Sequence, residues 1–423
     1  MNIKEIVNKK NNKITLSKPE IEYMVMGYVK EEINDEDMTS FIKAIYDFGM
    51  EESEIFALTE IMRDSGEQID FSFLNTTTVD KHSTGGIGDK TTLIVAAIVA
   101  SLDVPVVKMS GRGLGFTGGT VDKLESIIGY KEELTSDQMH KQAKDIGLVL
   151  MSQTGDVAPA DKKMYALRDE TNLVDSIPLI ASSIMCKKLA SGADKIVMDV
   201  KVGDGGFMKD VEKATELATL MVKIGNACGK ETVAVLSNMN EPLGYAIGNV
   251  LEVEEAVNTL KGEGPKDLVE LSLVLSAHMI SLAKDIGYDV SYALAKDALE
   301  SGKALAKWNE LLDYHNTKGL IDTPVIETII KSPKDGFVES FKCQAIGEYV
   351  RNLGAGRIHK EDTINYNVGA IVHKKVGDKV KQGEPLYTIY STKQESLDNQ
   401  FMTIIDEPVK KPKLIIDVIK EES

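Results

Sequence analysis

Two glycine-rich segments constrain this chain more than any other feature, because each stands between a short apolar run and a helical stretch. The first is Lys81-His82-Ser83-Thr84-Gly85-Gly86-Ile87-Gly88-Asp89-Lys90-Thr91-Thr92, which follows a strand expected at residues 76–80 and leads into an apolar helix. The second spans residues 110–120 and follows a buried strand expected at 104–109. Residues 146–151, 195–202 and 232–236 are further strand-like runs, with helical segments between them. Such alternation predicts an α/β domain with a largely parallel sheet. Ligands of these sheets sit at the carboxyl ends of the strands, where both glycine segments fall.

The flanks differ in texture. Ser17-Lys18-Pro19-Glu20 is a capping box with proline in the first turn, and Ile21, Met24, Val25, Tyr28 and Val29 then recur at helical spacing. Helices are expected again at 38–48 and 51–62, with Gly49 and Gly66 as stops. Residues 161–191 interrupt the strand–helix alternation with a helical stretch that joins the N-terminal helices in this reading, which puts a cleft between two bodies. Beyond residue 330 short strands and turns take over. The run from Tyr366 to Pro385 resembles half of a lipoyl- or biotinyl-like barrel, without a lysine in a modification hairpin. The expected fold class is α/β in three parts. A small all-α domain takes 1–66 with 161–191. A large α/β phosphate-binding domain with a mostly parallel, mixed sheet takes 75–160 with 192–330. A C-terminal α+β, barrel-like subdomain takes 331–423.

Composition narrows the partners. With 49 basic and 66 acidic residues the formal charge is −17, which argues against nucleic acid or an anionic membrane surface. An anion bound here needs a local basic cluster. The cysteines, Cys186, Cys228 and Cys343, form no CxxC pair, so neither a zinc site nor a disulfide framework is expected. The N-terminal residues lack the apolar core of a signal peptide, and the longest apolar run, 93–102, is too short to span a bilayer. A soluble, cytoplasmic protein is expected.

Both glycine segments suit a compact anion. Glycines admit backbone N–H groups close to a ligand, hydroxyls and lysines add donors, and a helix starting near Thr91 adds its positive end. Asp89 before Lys90-Thr91 breaks the Walker A pattern. Gly113-Leu114-Gly115-Phe116-Thr117-Gly118 formally matches GxGxxG, but about 20 residues on, where a dinucleotide site wants an acidic residue at the end of a strand, Gln138 and Met139 stand in a helical-looking region at 132–144. Lys108, Ser110, Arg112 and Thr120 instead supply further donors, favouring one phosphate held by both loops. A merely structural glycine turn is the competing reading.

Longer motifs are more specific. Ser110-Gly111-Arg112-Gly113-Leu114-Gly115-Phe116-Thr117-Gly118-Gly119-Thr120-Val121-Asp122-Lys123-Leu124-Glu125 resembles the signature of the thymidine and pyrimidine-nucleoside phosphorylase family. Lys81 to Gly86, Tyr165-Ala166-Leu167-Arg168-Asp169, Ser183-Ile184-Met185-Cys186-Lys187-Lys188 and Asp199-Val200-Lys201-Val202-Gly203 resemble its other motifs in the same order. The resemblance covers essentially the whole chain. It implies a homodimer joined through the helical domain, a cleft that closes over substrate, and phosphorolysis of pyrimidine nucleosides without an organic cofactor. It implies that Lys81, Ser83, Thr92, Ser110 and Thr120 bind phosphate with Lys108 close by, and that His82, Arg168, Ser183 and Lys187 hold the pyrimidine. It also implies a monovalent cation, potassium, at Gly88, Lys90, Leu243, Ala246 and Glu255. Phe116 departs from the family, which usually has histidine there.

Phosphorolysis asks the site to aim a phosphate oxygen at the anomeric carbon and to stabilise charge building on the departing base. His82, Arg168 and Lys187 are the expected catalytic donors, with Ser183 at the base edge. Bland alternatives stand beside these roles: Arg168 in a surface pair with Asp169 or Glu170, Lys187 and Lys188 on a solvated helix face, Arg112 and Asp122 as loop braces. Lys108 points to a broad enzyme acting on uridine, thymidine and deoxyuridine rather than a thymidine-specific one. An anthranilate phosphoribosyltransferase-like enzyme and a non-catalytic nucleoside-binding protein are the remaining readings.

Overall fold

Local signals start and stop the N-terminal helices. The computed structural model describes residues 1–113, 115–153, 157–359 and 361–421, so Leu114 of the second glycine segment lies outside it. The first four helices are α1 (Ile3–Asn11), α2 (Lys18–Val29), α3 (Asp35–Phe48) and α4 (Glu52–Asp64). Glu20 accepts from the Ser17 N–H at 2.9 Å, closing the box that starts α2. Gly49, at φ +74°, ends α3.

The chain continues through β1 (Val79–Ser83), α5 (Thr91–Ala100), β2 (Val106–Ser110), α6 (Thr120–Glu125), α7 (Ser136–Ile146) and β3 (Leu148–Ser152). Two helices follow, α8 (Pro159–Glu170) and α9 (Ile177–Ala190). Then come β4 (Lys195–Val202), α10 (Val211–Ala227), β5 (Thr232–Asn238), β6 (Ala246–Ile247), α11 (Asn249–Leu260), α12 (Lys266–Lys284), α13 (Tyr288–Glu300) and α14 (Lys303–Tyr314). The last part holds β7 (Ile326–Lys331), β8 (Gly336–Phe341), α15 (Cys343–Val350), β9 (Gly369–Val372), β10 (Lys379–Val380), β11 (Pro385–Ser391), β12 (Met402–Ile405) and β13 (Ile415–Ile419).

The architecture is a helical domain on an α/β domain with a mixed sheet. β1, β4 and β5 run parallel, with Val79 opposite Lys195 and Ile196 opposite Thr232. The parallel pair β2–β3 lies alongside, the Val79 N–H reaching the Pro105 carbonyl at 3.4 Å. Strand β4 is buried on both faces, as a central parallel strand must be. Val197 and Val235 face α5 and α12, while Met198, Val200, Ala234 and Leu236 face α9 and α10. The helices α2, α3, α4, α8 and α9 share a core that also takes Val107, Met109, Val149 and Met151 from β2 and β3. The helical domain is thereby fixed to the strands that carry the glycine loops.

Several boundaries differ from the sequence reading. The first strand is 79–83, not 76–80, because pairing with β4 sets the register and draws Lys81, His82 and Ser83 into the strand. The helix expected at 132–144 starts at Ser136, where Thr135 and Gln138 form its capping box. Strand β7 begins at Ile326, ahead of the expected boundary at 331, and β6 pairs with β9 in a sheet ordered β6-β9-β11-β7. Strand β13 leaves the C-terminal segment altogether and adds antiparallel to β5, Val418 opposite Val235. Ile416 and Ile419 pack toward the α10 side, Ile415 and Val418 toward the other, so this strand closes an otherwise open sheet edge. Among the described residues no helix is long and apolar enough to cross a membrane.

Candidate active site

A cavity of about 600 Å³ opens between the glycine loops and the helices α8 and α9. It falls at the carboxyl ends of β1 and β2, where an α/β sheet presents ligands, and its size suits a small metabolite. His82, Ser83, Thr92, Lys108, Ser110, Thr120, Arg168, Ser183 and Lys187 all line it. The helical stretch and the two loops, far apart in sequence, meet here.

On the loop side, donors converge. Ser110 is 7% exposed on the cavity lining, and its hydroxyl is a buried polar atom with no hydrogen-bond partner among the described residues. Thr92 stands in the first turn of α5, and Thr120 opens α6. Lys108 is buried, its ammonium 2.7 Å from the Met109 carbonyl. Burial first, then the charge of Lys188, pulls Lys108 down to about 7. Lys188 is itself paired with Asp80 at 2.6 Å.

Two expected phosphate ligands are placed differently. Lys81 lies beneath the loop, not on the cavity wall. Its ammonium donates to Thr91 Oγ1 at 2.7 Å and stands 3.5 Å from Asp199 and 4.0 Å from Asp89. The Ser83 hydroxyl donates to Asp89 Oδ2, which leaves it no proton for a phosphate oxygen in this arrangement. Asp89 also takes the Thr91 N–H at 3.1 Å and so caps α5. Burial alone would raise this carboxyl, yet Lys201, Lys81 and the hydroxyls of Ser83 and Thr91 hold it well below the usual range.

On the helix side, cationic and hydroxyl side chains are gathered. Arg168 is 2% exposed and forms no ion pair with Asp169 or Glu170 among the described residues. Its guanidinium donates to the carbonyls of Leu173 (3.3 Å), Val174 (2.9 Å) and Leu179 (3.3 Å). Burial pulls it below its usual value. One turn apart on α9, Ser183 and Lys187 face the same space, the lysine donating to Ser183 Oγ at 3.2 Å. Lys187 is also 2.6 Å from Asp161 Oδ2. Burial is the largest single influence and lowers the lysine, but the Asp161 carboxylate, as a charge and as a hydrogen-bond acceptor, raises it together with Cys186 and Tyr165, and the net shift is upward. His82 is half-buried on the wall. Burial, with Lys188, Lys108, Lys81 and Lys187 around it, holds the imidazole well below its usual value, so at pH 7 it offers one neutral N–H.

The sequence reading missed Asp161, whose carboxylate pairs with Lys187 and raises it. Its only local signal is an acidic residue in the first turn behind Pro159. It also missed the buried set of Asp89, Asp199, Lys81 and Lys201 under the first loop. Arg112 and Asp122 brace the second loop: Asp122 accepts from the Gly113 N–H at 2.6 Å and from Arg357 at 2.8 Å, and Arg112 pairs with Glu125 at 2.5 Å. Phe116, the departure expected from the resemblance, packs on α15 at Gly347, with the Lys209 ammonium 5.0 Å from its ring centre.

The five positions expected to hold potassium do come together, but with a different content. The Lys90 ammonium donates to Leu243 O at 3.0 Å, Ala246 O at 2.9 Å and Glu255 Oε2 at 2.5 Å. The resemblance puts Lys90 among the ligands of the cation; its side chain instead sits at the centre of the others.

The fold and this cleft define a class, and comparison with known proteins agrees with it. Residues 75–305 match the description "Glycosyl transferase family, a/b domain", and residues 4–66 match "Glycosyl transferase family, helical bundle domain". Residues 337–407 match the "Pyrimidine nucleoside phosphorylase C-terminal domain". Among solved structures, anthranilate phosphoribosyltransferase from Thermus thermophilus shares the fold at a TM-score of 0.59 and 18% identity, over 74% of this chain and 99% of its own. Curated relatives are much nearer. The pyrimidine-nucleoside phosphorylase of Bacillus subtilis (strain 168) is 47% identical over 434 residues, covering 100% of both chains. That of Geobacillus stearothermophilus is 46% identical, covering 99% of this chain and 100% of its own. The chain belongs to the pyrimidine-nucleoside phosphorylase family.

Proposed function

We propose that this enzyme catalyses the reversible phosphorolysis of uridine, thymidine and deoxyuridine, giving the free base and an α-(deoxy)ribose 1-phosphate. The observation that carries the reading is the division of one cavity into two sets of donors. Ser110, Thr92, Thr120 and Lys108 line the side of the glycine loops, Arg168, Lys187 and Ser183 come from α8 and α9, and His82, on β1, has both Lys108 and Lys187 near it. Phosphate held by the first set attacks the anomeric carbon as the bond to the base breaks, through an oxocarbenium-like state. Direct displacement inverts that centre, so a β-nucleoside gives an α-phosphate. The electron pair of the broken bond goes to the pyrimidine, where charge develops on O2 and O4. The cationic Arg168 and Lys187 and the neutral N–H of His82 meet it there, acting as an oxyanion hole does. No covalent nucleophile is required. The same reading makes the enzyme a cytoplasmic homodimer joined through the helical domain, where Tyr46 and Phe48 on α3 leave apolar surface exposed.

The first test is ultraviolet detection of free base from uridine and thymidine, with and without phosphate. Release from both, dependent on phosphate, is the expected result. Release from thymidine alone overturns the broad specificity, and release from neither overturns the activity. Cytidine is expected to be a poor substrate, because its 4-amino group meets Arg168 and Lys187 as donor against donor.

Phosphate binding should carry the signature of Lys108. The free ammonium titrates at about 7, and a bound phosphate anion favours its charged form. Above that pH the enzyme must take up a proton to bind, so this contribution to affinity falls about tenfold per pH unit. Measured as the ratio of phosphate Kd between Lys108→Met and wild type, the benefit of the lysine is greatest below pH 7 and shrinks above it. A ratio independent of pH would remove Lys108 from the phosphate site.

A further inference from the structure

The cluster around Lys90 departs from what the family resemblance implies. Lys90 is the N-cap residue of α5 and is only 1% exposed. Its ammonium has three protons and three acceptors, the carbonyls of Leu243 and Ala246 and the carboxylate of Glu255, so its hydrogen-bonding capacity is filled. The Glu255 carboxylate in turn accepts the N–H groups of Tyr245 (2.8 Å) and Ala246 (3.1 Å), which folds the 243–246 turn around the ammonium. The backbone is pressed close. A side chain at Gly88 would begin 2.7 Å from Leu243 O, and one at Gly244 would begin 2.3 Å from Glu255 Oε2. Both glycines have positive φ, +73° and +68°.

These oxygens are what a monovalent cation would use, and a unit positive charge already neutralises the one carboxylate among them. A free potassium ion would have to displace the ammonium from its three acceptors, or share the pocket with it at the cost of buried like-charge repulsion. The donor set therefore does not fit a separate ion. We propose that Lys90 is a tethered, built-in cation that takes the place of the monovalent metal, tying the first glycine loop to the 243–246 turn and α11, and that this enzyme folds and turns over without potassium. Its folding part does not rest on the catalytic reading, being read by thermal stability and thallium retention, whereas its turnover part does.

The test compares wild type with Lys90→Thr, dialysed into choline chloride and titrated with potassium chloride at constant ionic strength. Wild type should show no potassium-dependent rise in Tm, no retention of thallium(I) as a potassium surrogate in equilibrium dialysis, and unchanged phosphorolysis. Lys90→Thr opens a pocket lined by two carbonyls, a hydroxyl and the Glu255 carboxylate. It should lose stability in choline, regain a few degrees of Tm as potassium binds, and show a roughly tenfold rise in kcat/KM with potassium. A potassium-dependent Tm or stoichiometric thallium binding in wild type would overturn the proposal. So would a Lys90→Thr protein as stable as wild type in choline, because the ammonium would then hold nothing together. Should Lys90→Thr fail to fold, the wild-type titration and dialysis still decide the matter.

Discussion

Replacing Lys187 by glutamine should, on the proposed mechanism, lower kcat for uridine phosphorolysis by about 10²–10³, the usual consequence of removing one donor aimed at developing charge. The ammonium is pinned between Asp161 Oδ2 at 2.6 Å and Ser183 Oγ at 3.2 Å, which uses two of its three protons and leaves one for the base. The amide of glutamine can still donate to Asp161 but carries no charge. The interaction grows as the pyrimidine becomes an anion, so kcat and kcat/KM fall together. Asp161→Asn separates charge from position. Its lysine remains, but burial then acts on Lys187 without the opposing carboxylate, and the raised titration falls. The high-pH limb of kcat should move to lower pH, with activity closest to wild type on the acid side. If Lys187→Gln retains most of its kcat, or Asp161→Asn loses rate equally at every pH, the pair is structural and another group stabilises the leaving base.

Much of this was legible in the sequence for identifiable reasons. The α/β class could be read because apolar strand runs such as Ile196-Val197-Met198 alternate with helical patterns, and the start of α2 because the capping box at Ser17 is local chemistry. The cleft followed from the helical interruption at 161–191, whose side chains face the loops. What could not be read are the endpoints of long side chains and edge strands. Lys81 and Lys90 stand in one short glycine segment, yet one points under the loop to Asp199 and the other to a carboxylate 165 residues away. Asp161 looks like any acidic residue in the first turn of a helix until α9 brings Lys187 to it. Strand β13 carries no feature that names β5 as its partner; only the open edge of the assembled sheet does. The family's motifs fix which residue types are present, and the fold decides which of them face the ligand.

The floor of the first glycine loop should be a fragile polar part of the protein. Asp199 is fully buried on β4, 2.8 Å from the Lys201 ammonium and 3.5 Å from that of Lys81, and it accepts from Ser237 Oγ at 2.7 Å. Asp89 stands 4.0 Å from Lys81 and 3.9 Å from Lys201. Two carboxylates and two ammoniums thus balance, with almost no water to replace either partner. Asp199→Ala leaves both lysines facing Asp89 alone, an uncompensated buried charge, and is expected to cost about 3–5 kcal/mol of folding stability. The deficit should appear as a lowered midpoint in urea denaturation. Removing one charge of each sign, in Asp199→Ala/Lys201→Met, restores neutrality and should recover most of the loss, since two neutral side chains are less costly there than one orphaned ion. An unchanged midpoint in the single variant, or a double variant no better than the single, would mean that water or backbone movement relieves the charge. In that case Lys81 is free to leave its buried partners, and the role assigned to it by resemblance, direct contact with phosphate, becomes available again.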